Sequence, residues 1–226
     1  MSRSGIPPAL FSFPAQAKVA RVVPKNKIYE HGPVSSALRD MFVRQVEQIT
    51  WAYKLAPETI NLPARGGMAE VQVFDISQKT AELDEDVLRA IDRAIPLPII
   101  FQLHHEQRTR MVAAFKRPSE ADASKWVIDG YFAGAWLAAD AERQPLPVAL
   151  DLYGLYEQLL RSLLPNSARL GESLPEQLER LNRLRCVHSE HAKLEARLHK
   201  EKQFNRKVVL NAQLRKIQNE IAELSA

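Results

Sequence analysis

From Glu176 to Ala226 the apolar positions of this chain recur at helical spacing. Leu178, Leu181, Val187, Leu194 and Leu198 mark one seam, and Leu210, Leu214, Ile217, Ile221 and Leu224 mark a second, each in steps built from threes and fours. These fifty-one residues contain neither glycine nor proline, although the chain carries 8 of one and 14 of the other. At ~1.5 Å per residue such a stretch predicts a helical rod of ~75 Å, too long to bury along its length against a small domain. It must pair with itself, with a second copy, or with another protein. The seam breaks at His199–Asn205, where Glu201 and Asn205 stand in places that an uninterrupted heptad fills with apolar residues; Asn211 sits near the second seam. Polar residues in a seam lower stability but fix register and partner. A bend, or a shift of the seam to another face, accounts for the same break, so one rod and a hairpin both remain open.

Upstream the pattern changes. Residues 1–17 are marked by proline and read as an irregular lead-in; Lys18–Val23 alternates briefly and predicts an edge strand closed by Pro24. Leu38, Phe42, Val46, Ile49 and Tyr53 recur every three or four residues and predict an amphipathic helix from Val34, stopped by Pro57, with Trp51–Leu55 as its last turns. Val71–Ile76 is apolar on both faces, as a central strand requires. Asp84, Glu85 and Asp86 open a helix whose buried face is Val87, Leu88, Ile91 and Ile95, ended by Pro96 and Pro98. Ile99–Leu103 predicts a second central strand, and His104–Gln107 a hairpin into Thr109–Lys116. Trp126, Ile128, Phe132 and Trp136 share even positions, predicting one face of a long strand in which Gly130 and Gly134 mark bulges or close backbone approach. Leu152, Leu155, Tyr156, Leu159 and Leu163 define a helix that Pro165 ends. The expected class is α+β: a mixed β-sheet with packed helices over residues 18–165, then a long coiled-coil-like helix or helical hairpin over 174–226.

Composition narrows the class without changing it. Hydrophobic residues at 46% and charged residues at 26% suit a soluble globular chain, and no apolar run approaches the ~18 residues that span a bilayer. The single cysteine, Cys186, excludes an intrachain disulfide, and the amino terminus has no apolar stretch of signal-peptide length, so the cytoplasm is the expected compartment. Net charge is only +4, but it is unevenly placed: between Arg180 and Lys216 eleven basic residues face three acidic ones. A helix face this basic can follow a phosphate backbone, which makes Arg197, Lys200, Lys202, Arg206 and Lys207 candidate nucleic-acid contacts; a solvated face is the simpler reading. Glu201, Gln203, Phe204, Asn205 and Asn211, around the break in the seam, are candidate partner contacts.

Catalytic chemistry finds little support. Cys186, His188 and His191 lie close in sequence, but no further ligand cluster stands ready to complete a metal shell. His104 and His105 are adjacent on an extended segment and point to opposite faces. Glu47, Glu70, Asp75 and Lys79 invite comparison with metal-dependent nuclease cores, yet Ser77 occupies the place two before the lysine where an acidic residue is required. There is no phosphate-cradling glycine loop and no nucleophile elbow. No catalytic residue, metal or cofactor is assigned.

Four segments together resemble a bacterial family known as domain-of-unknown-function family 4391: Trp51–Asn61, Val71–Phe74, Ile91–Pro96 and Glu201–Asn211, the last being the most specific. The resemblance runs from about Phe11 to Leu224. It implies a companion of helicases and DNA methyltransferases in restriction-type or antiphage gene clusters, and implies no catalytic residue. The expectation is therefore a non-catalytic subunit of a DNA-directed defence or restriction-modification system, docking by its tail on a helicase or methyltransferase, with DNA contact possible. A nuclease-like enzyme with an unfamiliar site and a coiled-coil homodimer are the alternatives.

Overall fold

In the computed structural model, which describes residues 10–32, 34–118 and 126–226, the chain forms β1 (Leu10–Ser12), a 3-10 turn (Ala15–Ala17), β2 (Lys18–Val22), α1 (Lys25–Glu30), α2 (Ser36–Gln45), β3 (Val46–Leu55), α3 (Pro57–Ile60), β4 (Val71–Gln78) and α4 (Glu85–Ala94). There follow β5 (Ile99–His105), β6 (Arg108–Pro118), β7 (Trp126–Ala133), β8 (Leu137–Ala138), β9 (Arg143–Pro145), α5 (Leu152–Arg161), α6 (Leu174–Lys200) and α7 (Phe204–Ser225). The class is α+β, a mixed sheet with helices followed by a helical hairpin. Contacts divide the chain into two compact units at Leu164/Pro165.

The main sheet has the order β2-β3-β4-β5-β6-β7, with β8 beside β6. Neighbours run antiparallel except β4 and β5, which are parallel and joined through α4. The apolar strands read from the sequence sit at its centre. Phe74 and Ile76 of β4 and Phe101 and Leu103 of β5 pack with Val87, Leu88 and Ile91 of α4, Phe42 of α2 and Ile28 of α1. On the opposite face Val71, Val73, Ile100, Met111 and Ala113 are equally buried, which is why these strands are apolar on both sides. The Asp84 carboxylate caps α4 by accepting the Asp86 N–H.

The other end of α4 is held by Lys116. Its buried ammonium donates to the carbonyls of Asp92, Ile95 and Leu97 and lies 3.2 Å from the Asp92 carboxylate, which also accepts the Tyr131 hydroxyl. A cation there satisfies carbonyls that the helix leaves without partners. Burial lowers the Lys116 pKa and raises that of Asp92.

Three expectations are overturned in this unit. The segment after Gln45 is not helix: α2 stops there and Val46–Leu55 is β3, so Trp51–Leu55 lies in a strand. Its buried positions, Val46, Ile49, Ala52 and Leu55, fall every three residues and so imitate a helix. The cause is two β-bulges, at Glu47 and Ala52, each of which sets an extra β3 residue against β4. The second flips the alternation, so Ile49 opposite Ile76 and Leu55 opposite Val71 bury on different faces. The same effect parts Ile128 from Phe132. Gly130, at φ +108°, lies in a bulge of β7 that leaves Ile128 opposite Lys116 and Phe132 opposite Ala113. Trp136 is beyond the strand, stacked against the Arg108 and Arg110 guanidiniums, and the Trp126 side chain lies outside the described residues. The lead-in is not irregular throughout: β1 pairs in parallel with β9, and its Leu10 and Phe11 are buried; residues 1–9 lie outside the described residues.

The tail is a hairpin rather than a rod. Val187 and Leu194 of α6 meet Leu214 and Ile217 of α7, flanked by Leu198, Leu210, Ile221 and Leu224, so the two seams bury each other. Across the pair Arg183 bonds Glu220 at 2.6 Å, and the Arg180 guanidinium donates to the Leu224 carbonyl at 2.9 Å. Arg180 also holds Glu172 at 2.6 Å, and that hydrogen bond drops the Glu172 pKa to about 2.

Candidate functional site

The hairpin turn is built without glycine or proline. α6 opens with a capping box between Ser173 and Glu176 and runs until Glu201 adopts extended backbone. The Glu201 carboxylate then accepts the N–H groups of Lys202 and Gln203, at 2.8 and 2.9 Å, replacing helix bonds that end at Lys200. Those bonds hold the Glu201 carboxyl below its usual range, with Arg206 and Lys207 assisting. The polar break in the seam is therefore the turn itself.

Around it every residue from Lys202 to Val209 is exposed. The candidate cations gather here: Arg197 and Lys200 on the last turn of α6, Lys202 in the connection, Arg206 and Lys207 on the first turn of α7. Among the described residues Lys200, Lys202 and Lys207 have no carboxylate partner, and Arg206 reaches Glu201 only at 3.9 Å. α7 starts with these cations, with no acidic residue in its first turn and no side-chain cap. That arrangement opposes the helix dipole, which favours negative charge at this end. Phe204 is 77% exposed, and Val208 and Val209 are 53% and 58% exposed, making an apolar patch among the cations.

Of the candidate partner contacts, Gln203, Phe204 and Asn205 are at this tip. Glu201 is spent on the turn. Asn211 lies two turns away, in a shallow groove with Leu198, His199 and Leu214. Val208 and Val209 were not singled out by sequence; their signal was an adjacent valine pair outside the seam. Cys186 is exposed, and His191 rests between Glu195 and Gln218 at about 3.4 Å from each.

A second polar cluster lies on the sheet. Asp75 of β4 is opposite Gln102 of β5, and Ser77 is opposite His104. The Gln102 amide donates to Asp75 Oδ1 at 2.7 Å and accepts from Arg143 of β9 at 2.7 Å. His104 Nδ1 is 2.9 Å from the Thr109 hydroxyl, and its Nε2 is 3.5 Å from Asp75. The nuclease-like set is not assembled: Glu70 pairs with Lys54 at 3.1 Å, and the Lys79 ammonium donates to the Val43 carbonyl. Among the described residues no three His, Cys, Asp or Glu side chains gather as a metal shell, and no helix is long and apolar enough to cross a membrane.

A family model described as Domain of unknown function (DUF4391) matches residues 11–221, nearly the whole chain. The chain belongs to that family. The DUF4391 match takes in β1 through most of α7, including the hairpin turn and the sheet cluster. No curated protein and no solved structure matches the chain.

Proposed function

We propose that this protein is a cytoplasmic, non-catalytic accessory subunit of a bacterial DNA-directed defence or restriction-modification system, which docks through the tip of its helical hairpin. The observation that carries the docking surface is the exposed Phe204, Val208 and Val209 beside cations at the positive end of α7, of which Lys202 and Lys207 have no carboxylate partner among the described residues. Exposed apolar side chains beside one sign of charge are features of an interaction surface, and a local anion would relieve the electrostatic cost of the cations. The partner proposed is a helicase or DNA methyltransferase, as the family resemblance implies, with DNA phosphates contacted by Arg197, Lys200, Lys202, Arg206 and Lys207. The homodimer alternative loses its main support, because the seams that would pair two copies already cover each other.

The test separates the two faces of the tip. Replacing Lys200, Lys202, Arg206 and Lys207 by glutamine keeps helix-forming residues in place. If these cations neutralise phosphates, the log–log salt dependence of duplex binding becomes shallower by several units, at about 0.9 for each phosphate no longer neutralised, with little dependence on DNA sequence. Phe204→Ala leaves that slope unchanged but weakens co-purification with a helicase or methyltransferase encoded beside the gene. Wild-type DNA binding by the four-glutamine protein, together with loss of the protein partner, discards the nucleic-acid contact and leaves the tip as a docking surface.

A further inference from the structure

We propose that Asp75 and His104 form an open site for a first-row divalent metal ion, on one face of the carboxyl-terminal halves of the two parallel strands. The site is independent of the hairpin. β4 and β5 are the parallel pair of the main sheet, and their register sets Asp75 beside Gln102 and Ser77 beside His104. Along their shared face the character changes abruptly. Val71, Val73 and Ile100 are fully buried, whereas Asp75, Ser77 and His104 are half-buried. Opposite them on β3 stand Thr50, facing Asp75, and Gln48, facing Ser77.

Both proposed ligands are oriented from behind. Gln102 is 3% exposed, and its amide bridges Asp75 to Arg143, which is itself tied to the Phe11 carbonyl. A buried amide in the middle of β5 fixes the carboxylate. His104 is fixed by Thr109, 1% exposed, through a full hydrogen bond at Nδ1. The Nε2–Asp75 separation of 3.5 Å is too long for a charge-assisted bond, which closes to about 2.7–2.9 Å. In the proposed site the ring proton is on Nδ1, donated to the Thr109 hydroxyl at 2.9 Å, so that the Nε2 lone pair lies beside the Asp75 carboxylate. In that tautomer two electron-pair donors stand side by side, and a cation between them would be bound by both. Ligands held about 2.1 Å from a tetrahedral ion stand ~3.4 Å apart, close to the separation seen. A histidine that donates its second N–H, and a carboxylate held by another group, are the outer-shell supports of metal sites. With two protein ligands the remaining positions fall to water or to phosphate oxygens. One imidazole and one carboxylate favour Mn2+ or Zn2+ over Mg2+, which prefers oxygen throughout.

The test titrates the whole, chelator-treated protein with Mn2+, followed by electron paramagnetic resonance, and with Zn2+ by calorimetry. One ion per chain is expected. Asp75→Asn and His104→Gln each weaken binding by at least tenfold, and Gln102→Leu weakens it by about 10- to 100-fold through the orienting bond. His104→Gln keeps the wild-type melting temperature, so lost binding is not lost folding. The 15N shifts of the His104 ring in the metal-free protein report the Nδ1–H tautomer. The proposal is overturned if folded wild-type protein takes up neither ion at millimolar concentration, if binding survives both ligand substitutions, or if Nε2 carries the proton in a closed pair with Asp75.

Discussion

Lys116 shows how one side chain can secure the end of an element. Its ammonium and the Asp92 carboxylate are both nearly inaccessible, so removing one leaves the other uncompensated. Lys116→Met is expected to cost about 3–5 kcal/mol in urea unfolding, and adding Asp92→Asn recovers part of that loss. Equal stability of the single and double variants would show that the helix-end carbonyls, rather than the ion pair, dominate. Glu172 is expected to make a pH-dependent contribution, with a sign set by its pairing to Arg180. Its folded pKa, lowered from 4.5 to about 2 chiefly by Arg180, means that its stabilisation is complete above pH 4.5 and is lost as the pH falls towards 2. Melting temperature measured from pH 7 to 2.5 should therefore fall less steeply for Glu172→Gln than for wild type below pH 4.5. Coincident slopes would remove this pair from the acid response.

The elements differ in how directly the chain declares them. α4 is legible because Asp84, its apolar face and Pro96 state start, side and stop together. β3 is not, because two bulges convert the strand period into threes. The hairpin turn is half declared: the polar break in the seam marks its place, but Glu201 caps the turn with its own side chain, so no glycine or proline distinguishes a turn from a bend. Two measurements check the hairpin. Spin labels on the native Cys186 and on Asn219→Cys would stand ~50 Å apart in one continuous helix but within about 20 Å in the antiparallel pair. Leu214→Ala, which empties a position in the shared seam, should cost about 2–5 kcal/mol and speed amide exchange in both helices. Faster exchange confined to α7 would mean that α6 does not depend on it.

On the scale of the whole molecule, the division at Leu164/Pro165 predicts that a protein ending near Leu164 remains soluble and melts cooperatively, since its sheet and helices bury one another. Aggregation or a broad transition would place the hairpin within the folding core. The sequence by itself determined the α+β class, the central strands and the helical, basic tail, because each rests on local periodicity and on charge counted along the chain. It also singled out Phe204 and its neighbouring cations as candidates, because they surround the break in the seam. Only the tertiary structure decided that the two seams pair with each other and that β3 is a strand. Only there do Asp75 and His104 meet, with Gln102 and Arg143 behind them. Those four come from three strands, and their meeting depends on strand register and a helical crossover. Neither leaves a period in the chain, because the contacts that set them join residues far apart in sequence.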